Sequence, residues 1–158
     1  MAVISVKRVV PLTAEQAFAI ASDVNEYKDF LPLVTRSTIR GKVEEQGPIR
    51  RFAADMMISV DKLGLRDSFT SQVVADANAR TVVATSQDGP MKDLRATWTI
   101  RPMDGSRSQV SIEISYQFRN MLFQMAASRL MDHAVAKVLE AFEKRGRELY
   151  PESALPNI

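Results

Sequence analysis

Six period-two stretches follow one another between residues 34 and 118, and no interval among them is long enough to hold a helix. They run over 34–45, closed by Gly47-Pro48; 51–61; 65–76, closed by Ala77-Asn78; 80–86, closed by Asp88-Gly89-Pro90; 92–102, closed by Asp104-Gly105; and 108–118. Parallel neighbours need a crossover of a dozen or more residues, so strands this closely spaced can only turn back on themselves as an antiparallel meander. A further strand is expected over 2–10, with Ile4, Val6 and Val10 on one side and Pro11 at its end.

Two helical regions flank this series. Thr13 and Gln16 have capping-box spacing, which predicts a helix over 14–23 with Ala17, Phe18, Ile20 and Ala21 turned to the core. A second short helix or turn follows, carrying Tyr27, Phe30, Leu31, Pro32, Leu33 and Val34; Pro32 forbids a long continuous helix there. From Asn120, a candidate N-cap, apolar residues recur at Phe123, Ala127, Leu130, Met131, Ala134, Val135, Val138, Ala141 and Phe142, the stripe of a long amphipathic helix. Arg129, Asp132, His133, Lys137, Glu140, Glu143, Lys144 and Arg147 occupy its other side, with Glu140–Lys144 and Glu143–Arg147 in the favourable i,i+4 order. Gly146 is expected to weaken the helix end and Pro151 to stop it, leaving 1–150 as one domain and 151–158 as a frayed tail.

The order strand, two short helices, six strands, long helix predicts an α+β fold. Seven twisted antiparallel strands curve around the C-terminal helix. One stripe of mostly small side chains cannot fill the concave face of such a sheet, so a cavity is expected between sheet and helix. The 27–34 cluster is placed to cap one mouth of it, with Pro32 fixing the exit.

Composition narrows the function classes. No apolar run approaches the roughly 18 residues of a membrane span, and MAVISVKRVV alternates like a strand without a signal-peptide block, so the chain reads as unprocessed. The absence of cysteine excludes disulfides and thiol chemistry and agrees with a reducing cytoplasm. A net charge of +2 is far from the excess of a dedicated nucleic-acid binder, and DNA is not an expected partner. His133, the single histidine, has Arg129, Ala136 and Lys137 at helical neighbour spacing, which is no metal set and no triad. The six glycines are scattered and form no phosphate loop.

Among carboxylates, Asp67 turns inward if Phe69 faces the cavity. It would then either carry a raised pKa and serve as acid or base, or pair with an arginine, or lie at the strand end in water. Asp55 and Glu113 alternate opposite apolar sets and are expected in solvent. Lys62, Arg66, Lys92, Arg95 and Arg101, with Arg36, Arg40, Lys42, Arg50 and Arg51, make a convex face that is basic in part, although Asp61, Asp67, Asp88 and Asp93 are interleaved with it.

DVNEYKDFLP (23–32), GLRDSFTSQV (64–73), DGPMKDLRATWTIRP (88–102) and SYQFRNMLFQMAASRLMDHAVAKVLEAFEKR (115–145) resemble the coenzyme Q-binding branch of the START-related helix-grip superfamily, a branch that also holds ribosome-association toxins. Leu33 replaces an aromatic that commonly follows the FLP element. The resemblance implies a non-enzymatic binder of ubiquinone or another isoprenoid lipid that supports respiration, with no resident cofactor and the quinone as bound ligand. The alternative it implies is a regulator bound to the large ribosomal subunit; a cyclase-like enzyme comes third. The expected location is the cytoplasm, with contact at the periphery of the inner membrane as a further option. The residues expected to meet the ligand are Tyr27, Phe30 and Leu31 from the cluster, Met56, Ile58, Phe69, Leu94, Trp98, Ile112, Ile114, Tyr116 and Phe118 from the strands, and Phe123, Leu130, Met131, Ala134 and Val138 from the long helix. Trp98 would stack on a quinone ring and Tyr116 would offer it a hydroxyl donor.

Overall fold

A computed structural model describes residues 2–60 and 64–151, with Leu65 described in its backbone only. Asp61, Lys62 and the tail from residue 152 therefore lie outside the described residues. The elements are β1 (Ala2–Val10), α1 (Ala14–Ser22), a short 3₁₀ helix (Val24–Asp29), β2 (Val34–Gln46), β3 (Ile49–Val60), β4 (Leu65–Asp76), β5 (Thr81–Ser86), β6 (Met91–Pro102), β7 (Ser108–Phe118) and α2 (Met121–Leu149). All strand pairings are antiparallel, in the order β1-β7-β6-β5-β4-β3-β2. Six strands form the expected meander. β1 is added beside β7, so that the first and last strands in sequence pair from Ala2–Tyr116 to Val10–Ser108.

Local chemistry accounts for the element ends. Thr13 and Gln16 form the reciprocal capping box of α1: the Gln16 amide donates to Thr13 Oγ1 at 3.1 Å and the Thr13 amide to Gln16 Oε1 at 3.0 Å. Asn120 caps α2 by accepting from the Leu122 and Phe123 amides at 2.9 and 3.2 Å. β2 continues through an irregularity between Arg40 and Glu44, where Gly41 takes φ +73°, a conformation that suits a residue without Cβ and bends the strand.

α2 lies across the concave face and reaches β1. Glu143 holds that contact, accepting from Arg8 Nε at 3.1 Å and from Arg147 Nη2 at 3.0 Å. Burial opposes the Glu143 charge, but the hydrogen bonds from Arg147 and Arg8 outweigh it and hold the carboxyl below the ordinary value of 4.5. A folded pKa below the unfolded one contributes stability that is complete above the unfolded value and is lost as pH falls through the folded value. Glu143→Gln is therefore expected to cost no more than about 1 kcal/mol at neutral pH, and the difference from the parent should vanish under acid conditions. Urea melts of both proteins at pH 7 and pH 3 check this; an undiminished difference at pH 3 would refute it.

Gly146 is a contact point rather than a weak helix end, which corrects the expectation from sequence. It is buried, and a Cβ placed on it would come within 2.5 Å of Leu12 Cδ1. α2 runs on through it to Leu149 because glycine lets the helix approach the β1–α1 connection closely.

Candidate functional site

Alternation places one face of each strand against α2. Phe52, Ala54, Met56 and Ile58 of β3, Phe69, Ser71 and Val73 of β4, and Trp98 of β6 share the concave side, matched laterally by Met56–Phe69 and Trp98–Ile112. Between this face and α2 lies a cavity of about 200 Å³. Its wall includes Tyr27, Leu31, Met56, Ile58, Phe69, Leu94, Trp98, Ile112, Ile114, Tyr116, Phe118, Leu130, Met131, Ala134 and Val138, all expected from sequence. It also includes residues outside the expected ligand contacts: Pro32 and Leu33 of the capping cluster, Ala127 and Val135 of the helix stripe, and Val24, Val60, Val82, Ala84, Met91 and Ala96. Parity carried the signal for several of these: Ala96 sits two residues from both Leu94 and Trp98, so it must share their face.

Two expectations need correction. Phe30 does not reach the cavity. Its ring packs edge-on against Tyr27 at 6.0 Å and lies under the Arg145 guanidinium at 5.5 Å, on the outer side of the cluster. Phe123 is partly buried against the core but is absent from the cavity wall. Of the alternatives for Asp67, the solvated strand end holds: it is exposed although Phe69 faces inward, and its carboxylate accepts from the Ser68 amide at 2.8 Å. His133 and Glu113 are exposed, while Asp55 on the convex face accepts from the Thr70 hydroxyl at 2.7 Å and pairs with Arg40 at 3.4 Å.

The deep end is closed by aromatic rings. Trp98 stands 5.4 Å from Phe142 and 6.3 Å from Tyr27 between ring centroids. The Tyr27 hydroxyl donates to the Ala21 carbonyl, and burial, with the Asp23 charge adding, pushes its phenol far above the ordinary tyrosine value, so it stays neutral. The 27–34 cluster is fastened to β2 through Ser37, whose hydroxyl accepts from the Lys28 amide at 3.0 Å and donates to the Asn25 carbonyl at 3.1 Å. At the exit Leu33 adopts φ +73°, a left-handed conformation that costs a branched residue roughly 1–2 kcal/mol. Its carbonyl accepts from the Ser59 amide at 2.9 Å, which ties the cluster to β3.

Polar atoms on this wall are few. Tyr27 has its partner. Tyr116 differs: it is 1% exposed and its hydroxyl has no hydrogen-bond partner among the described residues. Leaving such a group unsatisfied costs about 1–3 kcal/mol, and an acceptor brought into the cavity would recover part of that. The wall is thus built to take an apolar molecule that carries at least one oxygen acceptor.

A curved antiparallel sheet gripping a C-terminal helix around an apolar cavity defines a START-like helix-grip domain. The chain belongs to the polyketide cyclase/dehydrase and lipid transport family, whose model matches residues 10–143. It is 29% identical over 147 residues to the ribosome association toxin RatA of Escherichia coli, covering 93% of this chain and 88% of that protein. It is also 27% identical over 141 residues to the mitochondrial coenzyme Q-binding protein of Schizosaccharomyces pombe, covering 89% and 84%. Among solved structures, a START superfamily protein from Mycobacterium smegmatis superposes with a TM-score of 0.79 at 16% identity, covering 93% of this chain and 98% of the other.

Proposed function

We propose that the chain binds an isoprenoid quinone of the ubiquinone type, or a lipid of similar build, and carries or presents it without chemical turnover. One observation carries this reading: a cavity walled almost entirely by hydrocarbon, with the buried Tyr116 hydroxyl beside it left without a partner. A quinone offers carbonyl oxygens for that hydroxyl and a flat ring for the aromatic end, and its tail suits the aliphatic wall. Methionines at 56, 91 and 131 give that wall adaptable side chains. The similarity to a coenzyme Q-binding protein points the same way. A cavity of about 200 Å³ is small against the roughly 300–1,000 Å³ of drug-sized sites, so the ring and first isoprene units would enter while the rest of the tail remains at the mouth. A cyclase-like role has weaker support, since Asp67, its candidate acid or base, stands in solvent.

The test is organic extraction of the purified protein followed by mass spectrometry. A stoichiometric quinone is expected. Tyr116→Phe removes the hydroxyl at little cost to folding, and is expected to lower quinone retention about tenfold, the equivalent of one hydrogen bond. An unchanged quinone content in Tyr116→Phe would remove the head-group assignment, and an extract free of quinone and lipid would remove the carrier reading.

A second reading, association with the large ribosomal subunit, is favoured by the similarity to RatA. It would use the outer surface, where Arg36, Arg40, Arg66, Arg95 and Arg101 are exposed. Co-sedimentation with large subunits tests it: the protein pellets with them if the reading holds and stays in the supernatant if it does not.

A further inference from the structure

The first turns of α2 break the pattern of the rest of the helix. Met121, Leu122 and Met125 are 76%, 77% and 63% exposed, the three most exposed large apolar side chains among the described residues, and they fall within five positions. Elsewhere on α2 most outward positions are polar or charged, as at Arg129, Asp132, Lys137 and Glu140, with Ala136 and Leu149 as exceptions. At its start the helix is apolar on both sides: Ala127, Leu130 and Met131 face the cavity while Met121 and Leu122 face solvent. A helix segment that is apolar all round is ordinarily covered on all sides.

Charge says what covers it. From Ile114 to Met131 the chain contains no aspartate or glutamate, and its charged residues are Arg119 and Arg129. Arg119 braces the tip against the β5–β6 turn, donating to the Gln87 and Gly89 carbonyls at 2.6 and 3.0 Å, so its positive charge is not cancelled by a carboxylate there. The nearby Asp88 carboxylate is turned to β4, where it accepts from the Thr70 amide at 2.9 Å. Apolar side chains whose nearest charges along the chain are arginines match a bilayer surface with anionic head groups: the side chains enter the acyl boundary and the guanidinium groups stay among the phosphates. A second copy of this chain meeting the same face about a two-fold axis would set these arginines against their own counterparts. Ribosomal RNA would satisfy the arginines but offers no hydrocarbon for Met121, Leu122 and Met125.

We propose that the N-terminal tip of α2, through Met121, Leu122 and Met125, is a docking surface for anionic lipid bilayers, seated at the end of the sheet where Phe118, Met91 and Leu33 form that end of the cavity wall. Topology sets that position. The end of β7, the start of α2, the β5–β6 turn and the exit of the 27–34 cluster all lie at one end of the sheet, and Phe118, Met91 and Leu33 line the cavity there. A quinone tail too long for the cavity and leaving it at this end would pass straight into the membrane.

The experiment is co-sedimentation with phosphatidylcholine vesicles, with and without phosphatidylglycerol, in the absence of any quinone, so failure here is separable from failure of the carrier reading. The protein is expected to bind the anionic vesicles, more weakly as salt is raised, and the Met121→Ser/Leu122→Ser/Met125→Ser variant to bind at least about tenfold more weakly. All three positions are exposed, and an unchanged circular dichroism melt certifies the variant's fold. Three outcomes would overturn the proposal: no binding to anionic vesicles, equal binding by the variant, or loss in the variant of self-association or of ribosomal-subunit binding with no change at the vesicle.

Discussion

Ala96→Phe is expected to empty the protein of lipid while leaving it as stable as before or more so. Ala96 lies near the middle of β6 on the cavity wall, paired laterally with Ala84 and Ile114. A phenyl ring there projects into free space and occupies much of the room that a quinone ring would need. Phenylalanine suits a strand, and filling a cavity commonly adds about 0.5–2 kcal/mol of stability. Binding and stability should therefore move in opposite directions: co-purifying lipid falls at least about tenfold while the thermal midpoint holds or rises. Thr97→Phe is the control. The next residue along a strand points to the other face, so this change should leave lipid content as it was. Equal lipid loss in both variants would mean that the binding site is not this cavity.

Gly89→Ala has the largest expected effect on stability. Gly89 takes φ +60°, and a Cβ added to it would stand 2.5 Å from the Ser68 carbonyl oxygen, a backbone atom with no rotamer to change. The β5–β6 turn must then lift from β4, where it is tied by the Ser86 hydroxyl donating to the Thr70 carbonyl at 2.7 Å and by Asp88 accepting from the Thr70 amide. Left-handed strain and the steric clash together are expected to cost about 2–4 kcal/mol. Gly47→Ala is the matched case: its φ is +59° but nothing lies within 4 Å of the added carbon, so only about 1 kcal/mol of backbone strain is expected. Urea denaturation of the two variants separates the terms, and similar losses would show that the approach to Ser68 carries no weight. Because Met91 and Phe69 line the cavity on either side of this turn, lipid retention should fall in Gly89→Ala as well.

These two variants probe different things that sequence makes visible to different degrees. The strand series was legible almost residue by residue because a half-buried strand must alternate, and glycine, proline and asparagine mark where it turns. The same alternation placed most of the cavity wall. It failed at the ends of elements. Asp67 obeys the parity of Phe69, yet the sheet offers no cover at its position, so parity alone does not imply burial. Phe123 has the helical spacing of Ala127 and Leu130 but packs against the core off the cavity wall. Phe30 belongs to the right cluster, but the 3₁₀ geometry before it turns its ring outward, under Arg145. In the case of Gly146, a helix-weakening residue by propensity proved to be the place where α2 and Leu12 meet.

Alternation, turn chemistry and capping, all local, by themselves determined the seven strands, the helix starts and most of the inward-facing set. Only the folded chain decided that β1 closes onto β7, that Leu33 is held in a left-handed turn at the mouth, and that the Tyr116 hydroxyl is buried without a partner. Each of these joins residues far apart in the chain, and local preference has no term for what a distant segment will bring alongside.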